Sequence, residues 1–264
     1  MILDSRDITP RRHDSIVSLV PSLTELLYDL GLGDAVTGIT KFCIHPRKWF
    51  ESKTKVGGTK TLDLDRILAL QPDLVIANRE ENTREQIEQL AETCNILLTD
   101  VDSLAGALET IQDIGILTGT RDTAFAMAEE IESRFLQLQQ RLATRRKILT
   151  GYFIWKEPCM VAGRNTFIND MLHHCGLENI FAHRERYPHV RREDLYGEKL
   201  TCELVILPSE PYPFSEKHKA DFRSIFPRAD VQLADGEMFS WYGSHLLYAP
   251  GYFENFLDRL RLHP

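Results

Sequence analysis

TRDTAFAMAEEIESRFLQLQQRLATRR, residues 120–146, is the stretch on which the fold of this chain turns. Apolar side chains recur every three or four residues at Ala124, Met127, Ile131, Phe135, Leu138 and Leu142, with no Gly or Pro among them. That spacing predicts one unbroken helix. At a rise of ~1.5 Å per residue it reaches about 40 Å, enough to cross the back of a two-lobed protein. An ordinary amphipathic surface helix has the same pattern, so the flanking segments must decide.

On the N-terminal side short β-rich runs alternate with helical patterns. Ser15–Val20, Ala35–Thr40, Asp73–Ala77 and Asn95–Thr99 read as strands; Ser22–Leu30, Asp63–Leu70, Glu81–Ala91 and Ser103–Leu117 read as helices. Ser22 and Glu25 have the spacing of a capping box at the first helix. On the C-terminal side the rhythm restarts, with strands at Lys147–Trp155, Leu204–Leu207 and Val231–Leu233. Helices are expected there at 165–175, 192–196, 215–226 and 243–262, the last interrupted near Pro250. Alternation at this rhythm predicts an α/β fold, two lobes with mostly parallel sheets joined by one long backbone helix. The expected division is an N-terminal lobe over 1–118, a linking helix over 119–146 and a C-terminal lobe over 147–264.

Composition narrows the functional classes. The 264 residues carry a net charge of -8, and no basic cluster is interleaved with aromatics, so a nucleic-acid partner has no support. Five widely spaced cysteines without a CxxC pair indicate neither a disulfide framework nor a zinc knuckle. No integral membrane segment is expected, because no apolar run is long enough to span a bilayer. The opening MILDSRDITPRRHDS has no apolar signal core, so the sequence as it stands reads as cytoplasmic; a protein whose signal segment had been removed would read the same.

In open α/β sheets ligands bind beyond the carboxyl ends of the strands. The segments there are rich in aromatics: Phe42 with His45, Trp155, Tyr187, Tyr212 with Phe214, and Phe239, Trp241 and Tyr242. Aromatic loops suit a large planar partner, although packing between loop and core is an equally ordinary use of each ring. Cys43 and His45 do not make a metal site without further ligands. There is no GxSxG elbow, no Cys-His catalytic motif and no phosphate loop, so neither catalytic residues nor a catalytic cofactor are expected. Asp65 and Glu193 each open a short helix beside an arginine, one in each half. They complement the helix dipole, or they pair with arginines of a two-fold partner.

Taken in order, IVSLVPSLTELLYDLG, GITKFCIHP, VGGTKTLDLDRILALQPDLVIAN, the REQIEQL helix, VAGRNTFINDMLHHCGLENIF and YPHVRREDL resemble the cobalamin- and siderophore-type substrate-binding proteins of ABC importers, the class with a helical backbone, and its cobalamin binders most of all. The resemblance spans nearly the whole chain. It implies a protein that is not an enzyme, that clasps a metal chelate, foremost cobalamin or another corrinoid, between its lobes, and that hands it to an ABC permease dimer outside the cytoplasmic membrane. It implies ligand contacts at Phe42, Tyr187 and the loop of Phe239, Trp241 and Tyr242, to which the position of the loops after the strands adds His45 and Trp155, and it implies permease docking through Asp65 and Glu193. Asp65 stands where the family has glutamate, and Thr59 and Asn78 stand where its cobalamin binders have tryptophan. A ferric siderophore or haem remains open as the ligand, favoured if Lys41, Arg79 and Arg164 line the site, as does a cytoplasmic corrinoid-handling protein or enzyme.

Overall fold

Strand β4 (Leu74–Asn78) is buried along its whole length, as a strand covered on both faces by helices must be. The computed structural model describes residues 1–3, 8–11, 13–195 and 201–260, without the side chains of Arg192 and Asp194. By packing, Met1–Val101, Ala105–Ile131 and Trp241–His245 form one compact unit. Asp102–Leu104, Glu132–Ser240 and the chain from Leu246 onward form a second.

Unit 1 contains β1 (Ile16–Ser18), α1 (Pro21–Asp29), β2 (Val36–Ile39), α2 (Arg47–Ser52), β3 (Thr54–Lys55), α3 (Leu64–Ala69), β4, α4 (Arg84–Ala91) and β5 (Ile96–Thr99). Its sheet has the order β3-β2-β1-β4-β5, parallel throughout. The order reverses between β1 and β4, and the loops leaving these strands flank the crevice that such a reversal opens. Ile16, Val17, Val75, Ile76, Ala77 and Ile96, all fully buried, make the centre of the core. Helix α5 (Leu104–Leu117) then turns into α6. Gly115 faces Ala124 there, and a Cβ on Gly115 would sit 2.2 Å from the alanine methyl, so only glycine allows the two helices so close.

Helix α6 (Arg121–Leu142) is the predicted long helix, 22 residues or about 33 Å. Ala124, Ala128, Ile131, Phe135 and Leu138 are its buried stripe. It ends four residues before the expected Arg146. Beyond Leu142, Arg145 pairs with Asp258 at 2.8 Å and Arg146 with Glu203 at 2.8 Å, which draws the chain out of the helix.

Unit 2 contains β6 (Ile148–Trp155), β7 (Met160–Val161), α7 (Phe167–His174), β8 (Leu177–Asn179), α8 (Arg192–Leu195), β9 (Leu204–Pro208), α9 (Glu216–Ile225), β10 (Asp230–Ala234), α10 (Glu237–Ser240) and α11 (Ala249–Asp258). Strands β10, β9, β6 and β8 run parallel, and β7 folds back antiparallel on the end of β6. Phe153, Phe181, Phe222 and Phe226 fill its core.

Three local expectations need correction. Pro21, not Ser22, opens α1: Val20 is the cap residue, no side chain caps it, and Pro supplies the helical φ directly. The capping box therefore does not form at Ser22 and Glu25, and Glu25 is left for another partner. Pro250 lies in the first turn of α11 and starts that helix, where its missing N–H costs nothing, after a 3-10 turn at Ser244–Leu247. The short strands β3, β7 and β8 and helices α2 and α10 are additions. The expected helix ends at Tyr196 and Leu262 lie outside the described residues.

Candidate ligand-binding site

In unit 1 the site starts from α1, because the loop after β2 hangs on it. Cys43 is fully buried, with its Sγ 3.1 Å from Thr24 Oγ1 and 3.2 Å from Thr40 Oγ1. Thr24 also bonds Ser18 Oγ at 2.7 Å and the carbonyl of Val20 at 2.8 Å. Burial pushes the Cys43 thiol up, only partly offset by the two hydroxyls, so it serves as a neutral anchor and not as a thiolate ligand. With Cys43 pinned inward, Phe42 turns outward and is 51% exposed. Lys41 Nζ lies 5.3 Å from the centroid of its ring.

His45, half-buried, meets the edge of Trp241 at 5.6 Å between ring centroids. Trp241 also packs on His245 at 5.4 Å, and His245 Nδ1 lies 2.9 Å from Glu25 Oε2. Phe42, His45, Trp241 and Tyr242 thus all belong to unit 1, although the last two follow the strands of unit 2 in sequence. Trp241 and Tyr242 are buried to 6% and 7% exposure.

The loop after β4 is built differently from what a stacking wall requires. Asn78 Oδ1 accepts from the N–H groups of Glu80 and Glu81 at 2.8 and 3.1 Å. Its Nδ2 donates to the carbonyl and hydroxyl of Thr99, both at 3.1 Å. The side chain is a knot between β4 and β5, used up by the loop itself. Asn82 donates from Nδ2 to the Thr59 carbonyl at 3.0 Å and so ties the Thr59 loop to the same knot. Beside this knot lies a depression of about 310 Å³ that includes Arg79 and Arg84. Both guanidinium groups are paired, Arg79 with Asp100 at 2.9 Å and Arg84 with Glu88 at 2.7 Å.

Unit 2 presents rings stacked on rings. Trp155, 38% exposed at the end of β6, donates from Nε1 to the Glu157 carbonyl at 3.1 Å. Its indole meets Tyr212 edge-on at 5.4 Å, and Tyr212 packs on Phe214 at 4.7 Å and His218 at 5.5 Å. Tyr212 therefore shares the Trp155 platform; its place in an aromatic loop after β9 was the sequence signal that pointed to it. Tyr187 is half-buried on a segment that pairs with the chain after β7, where Gly163 donates to the Arg186 carbonyl at 2.7 Å and Arg186 to the Arg164 carbonyl at 2.9 Å. Arg164 itself is paired with Glu185 at 2.6 Å. Phe239 lies elsewhere: it is fully enclosed by Tyr152, Tyr252, Phe253 and Phe256, supports its loop from within and offers no surface to a ligand.

Asp65 is exposed in the first turn of α3, where Asp63 caps the helix by accepting from Arg66 N at 3.1 Å. Glu193 is exposed on α8. Among the described residues no three His, Cys, Asp or Glu side chains gather as ion ligands, and no helix is long and apolar enough to cross a membrane.

The periplasmic binding protein family matches residues 16–200. A vitamin B12-binding protein of Vibrio campbellii is 30% identical over 183 residues, which cover 68% of this chain and 66% of that relative. An uncharacterized ABC transporter substrate-binding lipoprotein of Bacillus subtilis is 30% identical over 64% of this chain and 56% of its own length. The chain thus spans somewhat less than two thirds of these relatives' length. Among solved structures, the periplasmic vitamin B12 binding protein of Vibrio cholerae superposes with a TM-score of 0.78 at 21% identity, covering 93% of this chain and 96% of that one. A periplasmic heme binding protein from Pseudomonas aeruginosa gives 0.80 at 20% identity, covering 95% of each chain. At these identities the superpositions establish the two-lobed α/β fold and leave the ligand open. With the family model covering well over half its length, the chain belongs to the periplasmic binding proteins, a family of binding proteins and not of enzymes.

Proposed function

We propose that this protein is the substrate-binding component of an ABC importer and that its cargo is a corrinoid. One observation carries the choice of ligand: aromatic residues stand at the carboxyl ends of strands in both units, while Arg79, after β4, and Arg164, after β7, are already paired. Phe42 and Trp155 are exposed, His45 and Tyr187 half-buried, and Trp241 and Tyr242 buried. Arg79 and Arg164, the cations that a carboxylate-bearing ligand would need, are engaged by Asp100 and Glu185. A corrin ring edged with neutral amides is bound by stacking and burial and needs no unpaired cation. The vitamin B12-binding relative supports the same reading.

Haem is the second reading. Lys41 beside the exposed ring of Phe42 could meet a propionate, and the His45 imidazole could approach an iron. Titration of the purified protein with cyanocobalamin, haemin and a ferric siderophore, followed by tryptophan quenching and the ligand's visible spectrum, separates them. Saturable one-to-one binding of cyanocobalamin alone is the expected result; binding of haemin alone would replace the corrinoid with haem.

Delivery to a permease dimer places the protein's work outside the cytoplasmic membrane, with Asp65 and Glu193 as docking acids. Both are exposed, and neither belongs to the aromatic clusters. The double charge reversal Asp65→Lys with Glu193→Lys should abolish permease-coupled uptake and leave ligand affinity unchanged. An equal fall in affinity would assign these acids to the ligand site or the fold.

A further inference from the structure

Two adjacent residues of α1 anchor the two recognition segments of unit 1. Thr24 holds the loop of Phe42 and His45 through Cys43. Glu25 holds the segment Trp241–His245 through His245, a partner 220 residues away in sequence. Only 18% of the Glu25 side chain and 11% of that of His245 are exposed, so their hydrogen bond at 2.9 Å is little diluted by water. The segment reaches α1 because Gly243 takes φ +124°; a Cβ there would stand 3.2 Å from the Ser22 carbonyl oxygen on a backbone that side chains avoid.

We infer that Glu25 and His245 are positioning residues that set the orientation of the Trp241 indole, a role in binding that rests on reading Trp241 as a ligand contact. The His245 ring stands 5.4 Å from the indole at 57°, and His45 stands 5.6 Å from it at 72°. Trp241 is only 6% exposed, so a ligand meets one edge of it, and the rings packed on the indole decide which. Fixing His245 by a charge-assisted hydrogen bond fixes that edge. Removing the carboxylate removes the 2.9 Å hydrogen bond that ties the imidazole to Glu25, and the packing of the indole on that ring changes with it.

The test uses protein labelled with ¹⁵N at its three tryptophans, Trp49, Trp155 and Trp241. In ligand-free Glu25→Ala the Trp241 indole N–H resonance should move while those of Trp49 and Trp155 stay. Affinity for cyanocobalamin should fall about tenfold, as when a supporting hydrogen bond behind a ligand contact is removed. Glu25→Gln, whose amide oxygen still accepts from Nδ1–H, should restore most of both. An unmoved Trp241 resonance, equal movement of all three indoles, or unchanged affinity in Glu25→Ala would each overturn the assignment. If the parent protein takes no cyanocobalamin, the functional reading fails, while the ligand-free resonance still decides the positioning role.

Discussion

The two units hold the loops that follow their strands by different physics. In unit 1 the loops hang from directional bonds: Thr24 to Cys43, Glu25 to His245, and the five-way knot of Asn78 with Asn82, Thr99, Glu80 and Glu81. In unit 2 they rest on rings: Trp155 on Tyr212 on Phe214, and the loop after β10 on Phe239 and its neighbours. A hydrogen-bonded loop fails when one partner is lost, because a buried donor or acceptor is left without a substitute. A loop packed on aromatics loses stability in proportion to the volume removed.

Three substitutions break or sharpen this contrast. The largest effect is expected for Phe239→Ala in unit 2, with about 3–5 kcal/mol lost on thermal or denaturant unfolding because the ring is fully enclosed. Phe239→Leu should recover much of that, as a volume effect must; no recovery would mean that the ring's geometry, not its bulk, holds the loop. Next comes Asn78→Ala in unit 1, which removes little volume yet should cost about 1–3 kcal/mol by leaving the half-buried N–H groups of Glu80 and Glu81 without their acceptor. Here Asn78→Leu, which refills the volume, should recover nothing. A cost equal to that of a small cavity would erase the contrast between the units.

The smallest effect concerns a polar tether in unit 2. The Arg146 guanidinium, hydrogen-bonded to Glu203, holds its carboxyl below the usual range; burial opposes this and the Leu149 N–H adds to it. A depressed folded pKa stabilises above the unfolded value of about 4.3 and is lost as pH falls through the folded value. Glu203→Gln should therefore be less stable than the parent at pH 7 and converge with it in acid. A difference constant across that range would show that the carboxylate's charge has no part in the tether.

Much of this was legible in the order of residues. The β-rich runs, the turn residues between them and the uninterrupted stripe of the long helix read directly as alternating strands and helices, because each of those signals is local. The aromatic loops could be located for the same reason, since they follow strands. How they are held could not. Glu25 has the spacing of a capping residue, and nothing near it announces a histidine 220 positions away. Within Phe239-Ser240-Trp241-Tyr242 the sequence places three rings together; only tertiary packing buries Phe239 in unit 2 and assigns Trp241 and Tyr242 to unit 1. Asn78 was equally opaque, since an asparagine after a strand suits an exposed loop as well as a buried knot.

The most direct test of the account is hydrogen exchange of the whole protein with and without cyanocobalamin. Slowed exchange should be confined to the loop around 40–46 and the segment 241–245 in unit 1, and to 155–157 and 209–214 in unit 2. Protection confined to α6 and α11, or none in these four segments at saturating cyanocobalamin, would contradict it.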